Sequence, residues 1–252
     1  MLSYFFYFGI YPLLLLLSIY LGAKTRTSVD KHWHGWKPVG LESSLIGFYA
    51  LLISFTLAQS SNSARDREQT IQTVANDISE ILRVSLIDEP TLYNKVQVYF
   101  SDFTKIIEQP VKPDAQSIKT SIEAIHVLDD SLNNFLKLYI QTNPSERQRI
   151  STILSRINAM ESNYYRLLYS FIRRLPSAIL FVLIFFSILI GYLMGYMEKS
   201  NGNRFWISTS VFVVMSIIII NIIHDLDDPS VGFLTPNFDN IKQVIENFHV
   251  VK

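Results

Sequence analysis

The stretch GFYALLISFTLAQSSNSARDREQ, residues 47 to 69, decides how this chain is organised. Leu45 to Ala58 is apolar for only fourteen residues. Gln59, Ser60, Ser61, Asn62 and Ser63 follow, and no Gly or Pro interrupts the helical pattern until Pro90. A lipid-facing span needs about 20 apolar residues. A shorter one flanked by small polar residues is read as a helix packed among others, or as one lining a water-filled space. One of its faces carries Ser44, Phe48, Leu51, Leu52, Phe55, Gln59 and Asn62, apolar in the middle and polar at both ends. Burial inside a single-chain bundle accounts for that pattern. So does an apolar constriction with hydrated vestibules on the axis of a symmetric oligomer. Arg65 and Arg67 come next, either as topology signals or as a basic pore rim that attracts anions.

Outward from this stretch, three segments carry no charge at all: Ser3 to Ala23, Leu175 to Met197 and Phe205 to Ile223. Each is long enough to cross a bilayer as a helix. The first lacks a basic leader and its basic residues follow it, so it is read as a retained span and not as a signal peptide. The expected fold is an all-α integral membrane protein with four transmembrane helices, at about 3–23, 42–61, 175–197 and 205–224. Residues 1–61 would hold the first two spans, 62–174 a polar helical block, 175–224 the last two spans, and 225–252 a tail packed on the block.

The 252 residues balance 22 basic against 22 acidic side chains, and the polar block balances 14 against 14. No global field draws nucleic acid. The absence of cysteine excludes disulfides and thiolate chemistry. The block contains no Gly, and its prolines stand at 90, 110, 113 and 144. Proline removes a backbone donor and clashes with the preceding turn, so each marks a break. Asp88 or Glu89 and Asn143 stand where helices with proline in the first turn begin. Two apolar stripes at helical spacing follow. One is Ile118, Ile122, Ile125, Leu128, Leu132, Phe135, Tyr139; the other is Ile150, Ile153, Ile157, Met160, Tyr164, Leu167, Phe171. They predict an antiparallel hairpin within a helical bundle.

Catalytic signatures are missing: no GxSxG, HExxH, P-loop or dinucleotide fingerprint occurs. The chain is not read as an enzyme. His32 and His34 have zinc-compatible spacing but no third ligand nearby. With Trp33, Trp36, Lys31 and Lys37 they read as an interfacial belt. Asp129 and Asp130 read as a solvated helix face. Asp225, Asp227 and Asp228 close the last apolar run, where carboxylates are costly unless partnered.

The span at 47–69, followed by VANDISEILRVSL at 74–86, resembles the bestrophin-like family of bacterial and plant membrane proteins. There an apolar helix leads into spaced arginines and a Glu-Ala-Asn-Ala-Ile-like signature. Ala75, Asn76 and Ile78 match that signature; Val74 and Asp77 depart from it. Asp225, Leu226, Asp227, Pro229 and Gly232 fit the family's Asp-Leu-Asp-x-Pro-x-x-Gly signature, with Asp228 where arginine is usual. Gly47-Phe48-Tyr49 is similar to the Gly-Phe-Tyr of the bestrophin neck helix. The likeness covers about Leu41 to Phe248.

The resemblance implies a homo-oligomer, pentameric in bestrophins proper, that passes inorganic anions such as chloride. It implies a pore lined by the second helix, with Phe48 as the neck residue. It places the protein in the cell membrane with both termini and the block inside. It also implies an acidic calcium clasp after the last span, to which Asp225, Asp227 and Asp228 would contribute. Against that stands capping of helix N-termini, or pairing with Arg65, Arg67, Arg173 or Arg174, since a calcium site wants about six or more oxygens. No other cofactor is expected. The competing function is a non-conducting, membrane-anchored scaffold or sensor whose block binds a partner.

Overall fold

The computed structural model describes residues 5–29, 40–86, 90–108, 114–200, 206–228 and 236–249. Among them every regular element is helical. The helices are α1 (Tyr11–Val29), α2 (Leu41–Leu86), α3 (Pro90–Ile107), α4 (Ala115–Thr142), α5 (Arg147–Ser170), α6 (Ser177–Ser200), α7 (Trp206–Asp227) and α8 (Asp239–His249). A wide π-type segment, Phe6–Ile10, runs into α1, and one 3-10 turn, Pro144–Glu146, leads into α5. Four of these helices are long and apolar enough to cross a membrane. The chain is a multi-pass helical membrane protein.

Contacts divide the chain into two units. Met1–Ser63 with Leu175–Asp227 form the first, Ala64–Arg174 with Asp228–Lys252 the second. The helix α2 is unbroken over 46 residues and contributes to both. That continuity follows from its sequence, which has no breaker between Gly47 and Pro90.

In the first unit, α1 and α6 lie in close apposition. A Cβ on Gly22 would overlap the Tyr192 carbonyl, and one on Gly195 the Ile19 carbonyl. A Cβ on Gly191 would come within 2.7 Å of Ser18 Oγ. Gly191 and Gly195 form a GxxxG pair, the small-residue spacing that lets membrane helices meet backbone to backbone. The sequence reading passed over this pair. Lipid tails are as apolar as leucine, so such van der Waals contact is what holds these helices together. Two hydroxyls in the unit are satisfied locally: Thr56 Oγ1 donates to the Leu52 carbonyl at 2.7 Å and Ser18 Oγ to that of Leu15 at 2.7 Å. Tyr11 donates to Ser187 Oγ at 3.1 Å across α1 and α6.

Helix α1 continues past the expected end of the first span. Lys24 and Arg26, among the basic residues that follow the first apolar run, lie on this helix. Arg26 is buried, its guanidinium 5.1 Å from the Tyr196 ring centre and its Nη1 donating to the Tyr196 hydroxyl at 2.9 Å. A charge held this way is a packing element as much as a topology signal.

The second unit is a helical bundle around one core. Ile71, Val74, Ile78, Ile81 and Leu82 of α2 meet Val96, Phe100 and Phe103 of α3 there. Both predicted stripes face it. Ile150, Ile153, Ile157, Met160, Tyr164, Leu167 and Phe171 are all buried, as are Ile118, Ile125, Leu132 and Tyr139. Asp114 caps α4, accepting from the Ser117 N–H at 2.8 Å. Pro90 opens α3 and Pro144 the turn before α5; Asp88 and Glu89 lie outside the described residues. The tail supplies α8, whose Ile241 and Ile245 are buried. Tyr93 Oη and Gln97 Nε2 donate to the Phe248 carbonyl at 2.7 and 3.3 Å, fixing α8 to α3.

Candidate functional site

Helix α2 turns two faces outward and inward within the first unit. Tyr49, Thr56 and Ser60 are buried, and Leu52 and Ile53 pack with Leu183 and Ile223 in the same core cluster. On the opposite arc Ser44, Phe48, Leu51, Phe55, Gln59 and Asn62 are exposed. Six of the seven expected face residues therefore share one surface. Leu52 does not, because its position on the turn points it into the bundle.

Within that arc the side chains differ. Leu51 and Phe55 are 67% and 64% exposed, whereas Phe48 is 48% exposed with its ring 5.1 Å from that of Phe186. Phe48 is braced by α6; Leu51 and Phe55 project freely. Gln59 and Asn62 continue the arc as polar groups. Amide side chains facing hydrocarbon would lose their hydrogen bonds, so this surface is suited to water or to another protein and not to lipid.

The two arginines beyond the span separate. Arg65 is exposed, whereas Arg67 is only 4% exposed. Exposed Asp66 stands beside Arg65. Arg67 sits on the opposite side of the turn, on a buried face of the helix. Asn76 is exposed, while its signature neighbours Ala75 and Ile78 are buried. Asp77, the departure from the signature, accepts from Asn163 Nδ2 at 2.9 Å and so ties α2 to α5.

The three aspartates divide at the end of the last span, with Asp228 just beyond it. Asp225 and Asp227 belong to the last turns of α7. Carboxylates at a helix C-terminus oppose its dipole, so they require compensation. Asp227 Oδ1 accepts from the Leu175 N–H at 2.7 Å, at the entry to α6. That N–H precedes Pro176 and has no helical acceptor of its own. Asp228 pairs with Arg174 at 3.1 Å. Asp225 is buried beside His224, whose ring lies 4.2 Å from that of Tyr7. Among the described residues no three His, Asp or Glu side chains are grouped to hold a metal ion. The donor set does not fit calcium, since Asp227 and Asp228 turn to different partners. Pro229, Gly232, His32, His34, Trp33 and Trp36 lie outside the described residues.

Asp227→Ala is expected to cost about 1 kcal/mol, the usual worth of a capping acceptor. Asp228→Ala should cost less, because the Arg174 side chain is 41% exposed and solvent screens the pair. Unfolding midpoints of the two variants in one detergent, compared with wild type, test this order.

Asp129, read as solvated, accepts instead from Tyr99 Oη at 2.9 Å, and the same hydroxyl stands 2.9 Å from Glu161 Oε1. These residues lie 30 and 62 positions from Tyr99, so no local spacing announces them.

No family model and no curated protein matches the chain. Solved structures do match. A tryptophan-to-alanine variant of a bacterial bestrophin homologue from Klebsiella pneumoniae aligns over 95% of this chain and 94% of its own, at 13% identity and a TM-score of 0.71. A tyrosine-to-alanine variant of the same homologue covers 95% and 96%, at 15% identity and a TM-score of 0.65. A proline-to-alanine variant of a membrane protein covers 95% and 97%, at 16% identity and a TM-score of 0.65. Four spans, an unbroken second helix running into a helical bundle, and near-complete coverage at both ends of the alignment agree: the chain has the bestrophin fold.

Proposed function

We propose that the protein is a homo-oligomeric ion channel of the bestrophin kind, pentameric, in the cell membrane, with the exposed arc of α2 lining the path. The observation that carries this reading is the arc itself, apolar at Phe48, Leu51 and Phe55 and polar at Ser44, Gln59 and Asn62. Around a symmetry axis such an arc makes a dewetting constriction between hydrated mouths. The proposed permeant ions are anions, chloride first. Aromatic rings carry positive edges, and Phe48 and Phe55 present such edges to a partly dehydrated anion. Arg65 adds a basic group at one mouth. The termini and the helical block are placed on the cytoplasmic side.

The test is flux through liposomes holding the purified oligomer, chloride against potassium, for wild type, Phe48→Ala and Phe55→Ala. Chloride flux should exceed potassium flux in wild type and rise several-fold in Phe55→Ala. Phe48→Ala should change it less, because Phe186 shares that ring's position. Potassium flux exceeding chloride would overturn the anion assignment. No flux from a well-folded oligomer of any variant would favour the scaffold.

A further inference from the structure

Inside the helical block, one tyrosine hydroxyl reaches two carboxyl groups. Asp129 Oδ1 and Glu161 Oε1 each lie 2.9 Å from Tyr99 Oη. Both separations are hydrogen-bonding distances for oxygen pairs. Two full-strength links need two protons, since one hydroxyl hydrogen divided between two acceptors weakens both. A phenol carries one, and an ionised carboxylate carries none. The second proton therefore belongs to a carboxyl group. Glu161 is 9% exposed and Asp129 is half-buried, so Glu161 is the costlier of the two to ionise.

We propose that Glu161 keeps its proton at neutral pH, linked to Tyr99 beside Asp129, and that this makes the helical block a proton-binding element. The groups around it come from every neighbouring helix. Tyr99 is on α3; Asp129 and His126 are on α4; Tyr165 is on α5, its ring centre 6.1 Å from that of His126. On α2, Asp77 is engaged by Asn163 and Glu80 by Arg156. Among the described residues, no cation is among the charges that act on Glu161. Burial first, then Asp129, push the Glu161 carboxyl from its ordinary 4.5 up to about 8, against the Tyr99 hydrogen bond that lowers it. Burial and the two carboxylates likewise hold the Tyr99 phenol above its ordinary range, so it keeps its own proton.

The sign follows from linkage. The folded state holds a proton that the unfolded state releases near pH 4.5. The stability this contributes is full below that pH and is lost as pH rises through about 8. Above it, the Glu161 carboxylate is ionised in a buried position. The inference does not depend on ions crossing the membrane.

Infrared difference spectroscopy of the purified full chain tests it directly. Wild type at pH 7 should show a protonated-carboxyl band that is absent in Glu161→Gln and titrates away near pH 8. Asp129→Asn should titrate at lower pH, since the neighbouring charge is gone. In parallel, the wild-type unfolding midpoint should fall between pH 6 and pH 9 by roughly 5 °C more than that of Glu161→Gln. A wild-type spectrum at pH 7 without a band assignable to Glu161, whether both carboxylates are ionised or bridged by a cation, overturns the proposal. Should Glu161→Gln fail to fold, Tyr99→Phe with the same titration decides. Loss of the bridge should leave the band in place but move its frequency, and no band in either protein refutes the retained proton.

Discussion

Gly195→Leu is expected to abolish recovery of monodisperse protein. The new Cβ would overlap the Ile19 carbonyl, and backbone cannot move aside as a flexible side chain can. Separating α1 from α6 to make room also undoes the contacts at Gly22 and Gly191, since all three glycines serve the same pair of helices. The cost is about 3 kcal/mol or more, at or beyond the upper range for overpacking. Gly47→Ala supplies the control. Nothing lies within 4 Å of a Cβ at Gly47, which sits in α2. Helix propensity then favours alanine by roughly 0.5–1 kcal/mol. Gel filtration in detergent and thermal unfolding followed by circular dichroism compare the two. A Gly195→Leu protein that elutes and melts like wild type would mean that the α1–α6 contact is looser than described.

Phe103→Ala should be the most damaging truncation in the helical block, at about 3–5 kcal/mol. Phe103 is fully buried. Its ring centre lies 5.1 Å from that of Tyr164 and 6.4 and 6.5 Å from those of Tyr99 and Phe100, on two different helices. Removing it leaves a cavity walled by rigid rings, which collapse poorly. Val127→Ala, at a side chain 69% exposed on α4, should stay within about 0.5 kcal/mol of wild type. Denaturation midpoints of the two variants measure the difference. Equal midpoints would show that the aromatic cluster is not the centre of the block.

Much of this architecture is legible residue by residue. Three uncharged runs specify three of the four spans, because an apolar helix of that length is stable in hydrocarbon whatever its neighbours. Pro90 and Pro144 mark helix starts, since proline acts through its own ring. The stripes through Ile118 and Ile150 name the buried faces, because helical periodicity is local. The arc from Ser44 to Asn62 was likewise readable as a face.

Other features depended on what stands opposite. Leu52 lies next to the arc in angle, and only the position of Leu183 and Ile223 turns it inward. Arg65 and Arg67 are equivalent in sequence, yet one is exposed and the other buried. Gly191 and Gly195 acquire meaning from Ile19 and Ser18 across the contact. The assignment of Asp227 to Leu175, and of Asp129 and Glu161 to one tyrosine hydroxyl, joins residues 52, 30 and 62 positions apart. Periodicity gives the direction of a side chain about its own helix. Charge compensation, close backbone approach and a retained proton are properties of two or three helices at once, and the tertiary structure alone decides them.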